Sequence, residues 1–254
     1  MNNSCWKLCG WGLWLFLAAQ AASAADYGTI SGQFILKGDV PDPKFAIKKG
    51  DATVKDAAVC AAVDLPSQEL LIDPKSKGIQ HIFIYLRKAT DVHPDLKSVP
   101  ADKKIITFDQ KNCRFTPHTL FARTDQEVKV ISSDAVAHNT HTFPIRNDQV
   151  NFLLAPNDKN GQKVSHRFAE FLPMQVKCDI HPWMRAYWLV LDHPYAAITD
   201  KDGKFTIEKL PVGEHSFRVW HERSGWVNRS YKVDVKPGNN PLDVEEVDLE
   251  VFLK

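Results

Sequence analysis

The sequence predicts an all-β protein, and three observations carry that prediction. Short runs rich in Val, Ile, Phe, Tyr and Trp recur along the chain. Several of them alternate apolar with polar residues. Turn chemistry (Asp202-Gly203, Pro211-Val212-Gly213, Pro237-Gly238) separates them. Many short strands punctuated in this way build sandwiches or barrels.

The first two dozen residues stand apart. A lone Lys7, the apolar run Trp11 to Ala19 and the step Ala22-Ser23-Ala24 make residues 1–24 a signal peptide with an A-x-A cleavage site. The apolar run is too short to span a bilayer, and no later segment looks transmembrane. Cys9 precedes the run, so it is badly placed for lipid attachment. The mature chain is expected to begin near Ala25 and to be periplasmic or secreted. About 230 residues then remain, room for one large or two small domains. The whole chain carries 32 basic and 31 acidic residues, and loss of Lys7 balances them. That neutrality gives no reason to expect nucleic acid or an anionic membrane as partner.

Taken in order, "TISGQFILKG" (29–38) alternates, with Ile30, Phe34 and Leu36 on one face. A short helix is expected within 51–63, with Asp51 as its N-cap. "HIFIYLR" (81–87) is apolar on both faces and fits a buried strand. Strands are also read at 105–109, 127–132, 187–192, 204–210, 215–221 and 231–236. The polar, proline-punctuated stretch 144–172 reads as a loop holding at most one strand. Two breaks, at 92–104 and 192–204, bracket the segment with the most telling chemistry.

That chemistry sits in "CDIHPWM", where Cys178, His181 and Met184 recur every third residue. Of five cysteines, Cys5 and Cys9 leave with the leader, so Cys60, Cys113 and Cys178 stay. An odd number in an oxidising compartment leaves one thiol over, open to oxidation unless something occupies it. A disulfide from Cys178 to Cys60 or Cys113 is the plain alternative; a Cys60–Cys113 bridge is preferred, with Cys178 free for a metal. A thiolate, an imidazole and a thioether suit copper better than calcium or magnesium, which want oxygen. Zinc lacks a second C-x-x-C or H-x-x-x-H partner, and the C-x-x-C-H of haem attachment is absent. A blue-copper site needs one more histidine, and "AHNTH" supplies His138 and His141. Pattern alone leaves open which of the two binds.

"HNTH" followed by "CDIHPWM" resembles amicyanin and related cupredoxins, and the strand–F-x-P–strand run over 108–141 resembles the same family's opening. The resemblance covers roughly residues 102–192. It implies a cupredoxin Greek-key β-sandwich with one mononuclear type 1 copper held by His138, Cys178, His181 and Met184. Asn139 would tie the two ligand loops together, and His141 and Asp179 are expected around the ligands rather than on the metal. Val176 departs from the family, which often has an aromatic there, and 144–172 carries no family signature. His181 is expected on an exposed loop as the edge through which electrons pass, with Pro182 and Trp183 as a possible docking patch. His118, His166, His193 and His221 are read as structural or solvent-facing.

The stretch 198–222 resembles a second module, the carboxypeptidase-regulatory-like or transthyretin-like β-sandwich, as do the opening strands near 28–41 and 79–88. The expected organisation is therefore 25–101 and 195–254 as two halves of an immunoglobulin/transthyretin-like sandwich, split by a copper domain at 102–194. Proteins of the methylamine-utilisation type share this layout. The function implied is one-electron transfer with an extracytoplasmic redox partner such as a cytochrome or dehydrogenase, not enzymatic turnover. Two other readings stand beside it. One is a cell-surface or carbohydrate-binding module, with Trp220 and Trp226 as candidate sugar platforms and the copper site structural or lost. The other is copper storage or delivery.

Overall fold

A computed structural model describes residues 27–253; the leader peptide expected at 1–24 lies outside the described residues. The strands run β1 (Tyr27–Lys37), β2 (Phe45–Ile47), β3 (Leu65–Pro66), β4 (Phe83–Leu86), β5 (Ile105–Gln110), β6 (Phe115–Thr116), β7 (Thr119–Arg123), β8 (Glu127–Ser132) and β9 (His138–Phe143). They continue with β10 (Asn151–Leu154), β11 (Gln162–Ser165), β12 (Met174–Lys177), β13 (Arg185–Leu191), β14 (Ala196–Ile198), β15 (Lys204–Pro211), β16 (Gly213–His221), β17 (Gly225–Val235) and β18 (Gly238–Asp248). Among the described residues the one α-helix is a single turn, α1 (Ala57–Cys60), between β2 and β3. The protein is all-β, as the alternation in the sequence predicts.

Four sheets form two packed pairs. The order β10-β9-β12-β13-β7 faces β11-β8-β5-β6, and the order β15-β1-β18 faces β14-β4-β16-β17. The first pair encloses a core of Phe108, Phe115, Val128, Val130, Val176 and Trp188. The second encloses Ile30, Phe34, Leu36, Ile84, Phe217 and Val235. Each such side chain withdrawn from water contributes roughly 1.5–3 kcal/mol, which is what holds the paired sheets face to face. In β8 the alternation is strict: Val128, Val130 and Ser132 point inward and their neighbours outward.

β4 explains why 81–87 is apolar throughout. Ile84 and Leu86 enter the second core, while Phe83 and Tyr85 on the opposite face join Leu189, Leu191 and Trp220 in a third cluster. That cluster welds β13 of one sandwich to β4 and β16 of the other. The segment between β2 and β3 crosses the same divide. Ile47, Cys60, Ala61 and Leu65 are buried in the core of the β5–β13 sandwich, not in that of β1.

Two local expectations need correction. Asp51 does not cap a helix: its carboxylate accepts from Thr53 N–H and hydroxyl in a turn, and α1 starts only after Asp56. The short side chain competes for nearby backbone donors, so Asp51 closes a turn first. The stretch 144–172 holds two strands, β10 and β11, each an edge partner of an internal strand and too short to show a period. What orders the rest of it is the buried carboxylate of Glu170, which accepts from the backbone N–H groups of Ile145, Arg146 and Asn147.

Candidate metal centre

The β9–β12 register builds the site. β12 runs antiparallel to β9 with Lys177 opposite His141, so His138, further back along β9, comes level with the loop that begins at Cys178. That loop closes on itself: Met184 N–H donates to the His181 carbonyl at 2.9 Å, and Cys178 N–H to the Met184 carbonyl at 3.1 Å. Three side chains thereby meet. One ligating atom each from His138, Cys178 and His181 lies within 4.8 Å of the others, and all three residues are buried. His138 Nδ1 and His181 Nδ1 stand 2.8 Å apart, with Cys178 Sγ 3.7 Å from the latter. Met184 is buried in the same core.

The far nitrogen of each ring is held by a carboxylate. His138 Nε2 lies 2.9 Å from Asp134 Oδ2, and His181 Nε2 3.0 Å from Asp56 Oδ2. A carboxylate accepts only a proton-bearing nitrogen, so the Nδ1 atoms are the ones turned toward the sulfur. Asp134 also takes the N–H groups of Asn112 and Cys113, so it is fixed before it fixes the ring. Burial opposes charge on His138, but Asp134 and the Cys178 sulfur outweigh it and raise the imidazole to about 9. Burial likewise opposes the Cys178 thiolate, but hydrogen bonds from His138 and His181 outweigh that and bring the thiol down to about 6.

Asn139 receives the N–H of Asp179 on its carbonyl oxygen at 2.7 Å, and the same oxygen lies 3.3 Å from Cys178 Sγ. Its amide nitrogen donates to Asn151 and Asp179. This joins the two loops around the sulfur. His141 stands apart from the cluster. Strand alternation turns it to the other face of β9, where Nδ1 meets Asp179 at 2.8 Å and Nε2 contacts Gln149. Cys60 and Cys113 form a disulfide, leaving Cys178 as a free, buried thiol.

Other expectations fail on burial. His181 is fully buried rather than on an exposed edge, because Asp56 and the segment around it lie over the ring. Pro182 is exposed, whereas Trp183 is half-buried, its indole N–H donating to the Cys113 carbonyl at 3.2 Å. For His118, His166, His193 and His221, burial bears out the structural reading over the solvent-facing one; His118 makes a short contact with the Glu222 carboxylate. Trp220 packs in the third cluster, so it offers no face to a sugar, and the half-buried Trp226 ring is covered by Arg218 and Arg229. Sequence reasoning missed Asp56 and Asp134. Asp134 lies four residues before His138, a hint available in the sequence; nothing there joins Asp56 to His181.

Fold and site together define an all-β sandwich protein with a preassembled, buried thiol and bis-imidazole cluster. No family model matches the chain, and no curated protein does. Among solved structures, it is similar to a copper-containing nitrite reductase from Thermus scotoductus SA-01 at 14% identity, over 34% of this chain, with a TM-score of 0.30. It spans only 22% of that reductase. A reduced amicyanin mutant matches at 17% identity over 43% of this chain and 98% of its own, and a Cu(I) amicyanin mutant at 17% over 36% and 85%, each with a TM-score of 0.30. Similarity this weak carries no argument about activity, which rests on the site's own chemistry.

Proposed function

We propose that this is a periplasmic or secreted copper protein with one mononuclear type 1 centre, passing single electrons between extracytoplasmic redox partners such as a cytochrome and a dehydrogenase. The observation that supports it is the convergence of the Cys178 sulfur and two imidazole nitrogens within 4.8 Å in a buried pocket. One soft thiolate, two borderline nitrogens and a nearby thioether suit copper. The residues fit that ion. Two ring nitrogens face each other beside the sulfur, and a thiol already lowered to about 6 offers its ligating form at neutral pH.

Bound copper would supply a one-electron couple between Cu(I) and Cu(II). The chain's own residues do the rest. Cys178 would offer a thiolate and carry much of the electronic coupling. His138 and His181 would hold the ion together with that thiolate, and Met184 would offer a thioether as a weaker donor. Asp134 and Asp56 fix both rings, so neither needs to reorient as charge changes. Burial excludes water and would-be oxidants of the thiol. The disulfide and the leader pattern support an oxidising compartment, and no helix among the described residues is long and apolar enough to cross a membrane. The same reading takes 25–101 and 195–254 as halves of a carboxypeptidase-regulatory-like sandwich around a copper domain at 102–194, with the segment around β2 and β3 reaching across into the copper domain's core. It assigns no catalytic turnover.

The test is addition of Cu(II) to purified metal-free protein. Intense blue thiolate-to-copper absorption, bleached by ascorbate and restored on reoxidation, is the expected result, and C178S abolishes it. A colourless protein that binds a polysaccharide would instead be a sugar-binding module. Colourless, tightly held Cu(I) handed to an acceptor would make it a copper store or carrier.

A further inference from the structure

We propose that Asp56 is a positioning residue of the metal centre, and that the disulfide-anchored segment bearing it closes the His181 edge to solvent. The inference rests on the copper reading above. It concerns a part of the chain, between β2 and β3, that lies outside the two ligand loops.

Four observations converge. First, Asp56 Oδ2 lies 3.0 Å from His181 Nε2, and His181 has no exposed surface. Second, Asp56 immediately precedes α1, whose last residue, Cys60, is bonded to Cys113. The covalent bond thus holds the carboxylate within reach of the ring. Third, the segment is packed in place: Ile47, Cys60, Ala61 and Leu65 belong to the core of the copper-side sandwich, and Gly50 N–H donates to the Ala61 carbonyl at 2.8 Å. Fourth, the other open side of the imidazole is taken by Trp183, 5.2 Å away ring to ring and tied to Cys113.

The chemical consequence follows from how a neutral imidazole carries its single proton. An acceptor at Nε2 selects the tautomer protonated there, which leaves the Nδ1 lone pair facing His138 and the sulfur. Asp56 therefore presents His181 in the form that binds metal. Its own side chain is 31% exposed, so the contact is screened by solvent and adds little to folding. Its effect falls on ring orientation and tautomer.

Two substitutions separate this role from a structural one. Asp56 has φ 55°, in the left-handed region that Asn and Gly tolerate, so D56N and D56G both spare the backbone. D56N keeps an oxygen acceptor, and D56G removes it. Nitrogen-15 NMR of the metal-free protein is expected to show a slowly exchanging proton on His181 Nε2 in the wild type and in D56N, and a rapidly exchanging one in D56G. Copper affinity, measured by competition with a chelator, is expected to fall by about 10- to 100-fold in D56G, as losing the partner of a ligating imidazole does, and to be largely kept in D56N. A proton on Nδ1 in the wild type, or unchanged exchange and affinity in D56G, overturns the assignment. Failure of the wild type to take up copper sinks the copper reading instead, and the NMR comparison still decides whether Asp56 sets the tautomer.

Discussion

His138 Nδ1 and His181 Nδ1 face each other at 2.8 Å, from a strand and a loop 43 residues apart. Each ring is gripped from behind by a carboxylate, Asp134 or Asp56. Two imidazole nitrogens and a sulfur are so brought together in a buried pocket. The cluster contains His138 and leaves His141 out, which is why the copper reading takes His138 as the ligand. H138A is expected to lose blue copper absorption, whereas H141A keeps it and loses only the contacts with Asp179, Gln149 and Phe143. Optical titration with Cu(II) checks both; colour surviving in H138A but not in H141A would reverse the assignment.

The Cys60–Cys113 bridge closes a loop of 53 residues. Restricting an unfolded chain over that length stabilises the fold by about 4 kcal/mol on the chain-entropy account. The double variant C60S/C113S is expected to show a loss of that order in urea denaturation. It should also expose His181, since the bridge anchors the cover. A loss below about 1 kcal/mol would show that packing of Ile47, Ala61 and Leu65 alone holds the segment.

Acid should weaken the protein well before its carboxylates protonate. Burial, aided by charge on His118, depresses His81 and His221 to about 3, and burial depresses His166 to about 4. Unfolded, each takes up a proton near 6.5. Below that pH the unfolded chain binds more protons than the folded one, so stability is complete above about 6.5 and falls as pH drops toward 4. The slope is at most about 1.4 kcal/mol per pH unit for each group. His138, raised to about 9, acts in the opposite window: its contribution is present below about 6.5 and is lost as pH rises through 9. Thermal melts from pH 7 to 4.5 read the first effect; a flat profile there would mean that the three imidazoles are protonated in the fold.

Glu170 is the keystone of the stretch 144–172. Its carboxylate is buried and accepts four backbone or side-chain donors from Ile145, Arg146 and Asn147. E170A leaves those donors unsatisfied, at a cost of about 1–3 kcal/mol. Hydrogen exchange at the amides of residues 145–147 is expected to rise sharply, while exchange in β8 and β13 stays slow. Uniform acceleration across both sheets would instead place Glu170 in the global fold.

Alternation made several of the longer strands legible, though the eleven-residue β18 went unread. Ile30, Phe34 and Leu36 lie on one buried face as their spacing predicts, and the doubly apolar 81–87 is a strand with a core on each side. The edge strands β10 and β11 escaped notice because four residues of mixed polarity hold no period. The donor types of the site were legible too, since Cys178, His181 and Met184 lie on one short loop.

The sequence by itself determined the all-β class and a set of soft ligands concentrated at residues 178–184, because period-two burial and local spacing are written in neighbouring residues. Only the tertiary structure placed His138, and not His141, beside Cys178, buried His181 and brought Asp56 to it. Those outcomes depend on which face of β9 meets the loop after β12, and on a crossing between sandwiches that a disulfide fixes. Register and long-range packing arise from the whole core, so no stretch of chain carries them alone.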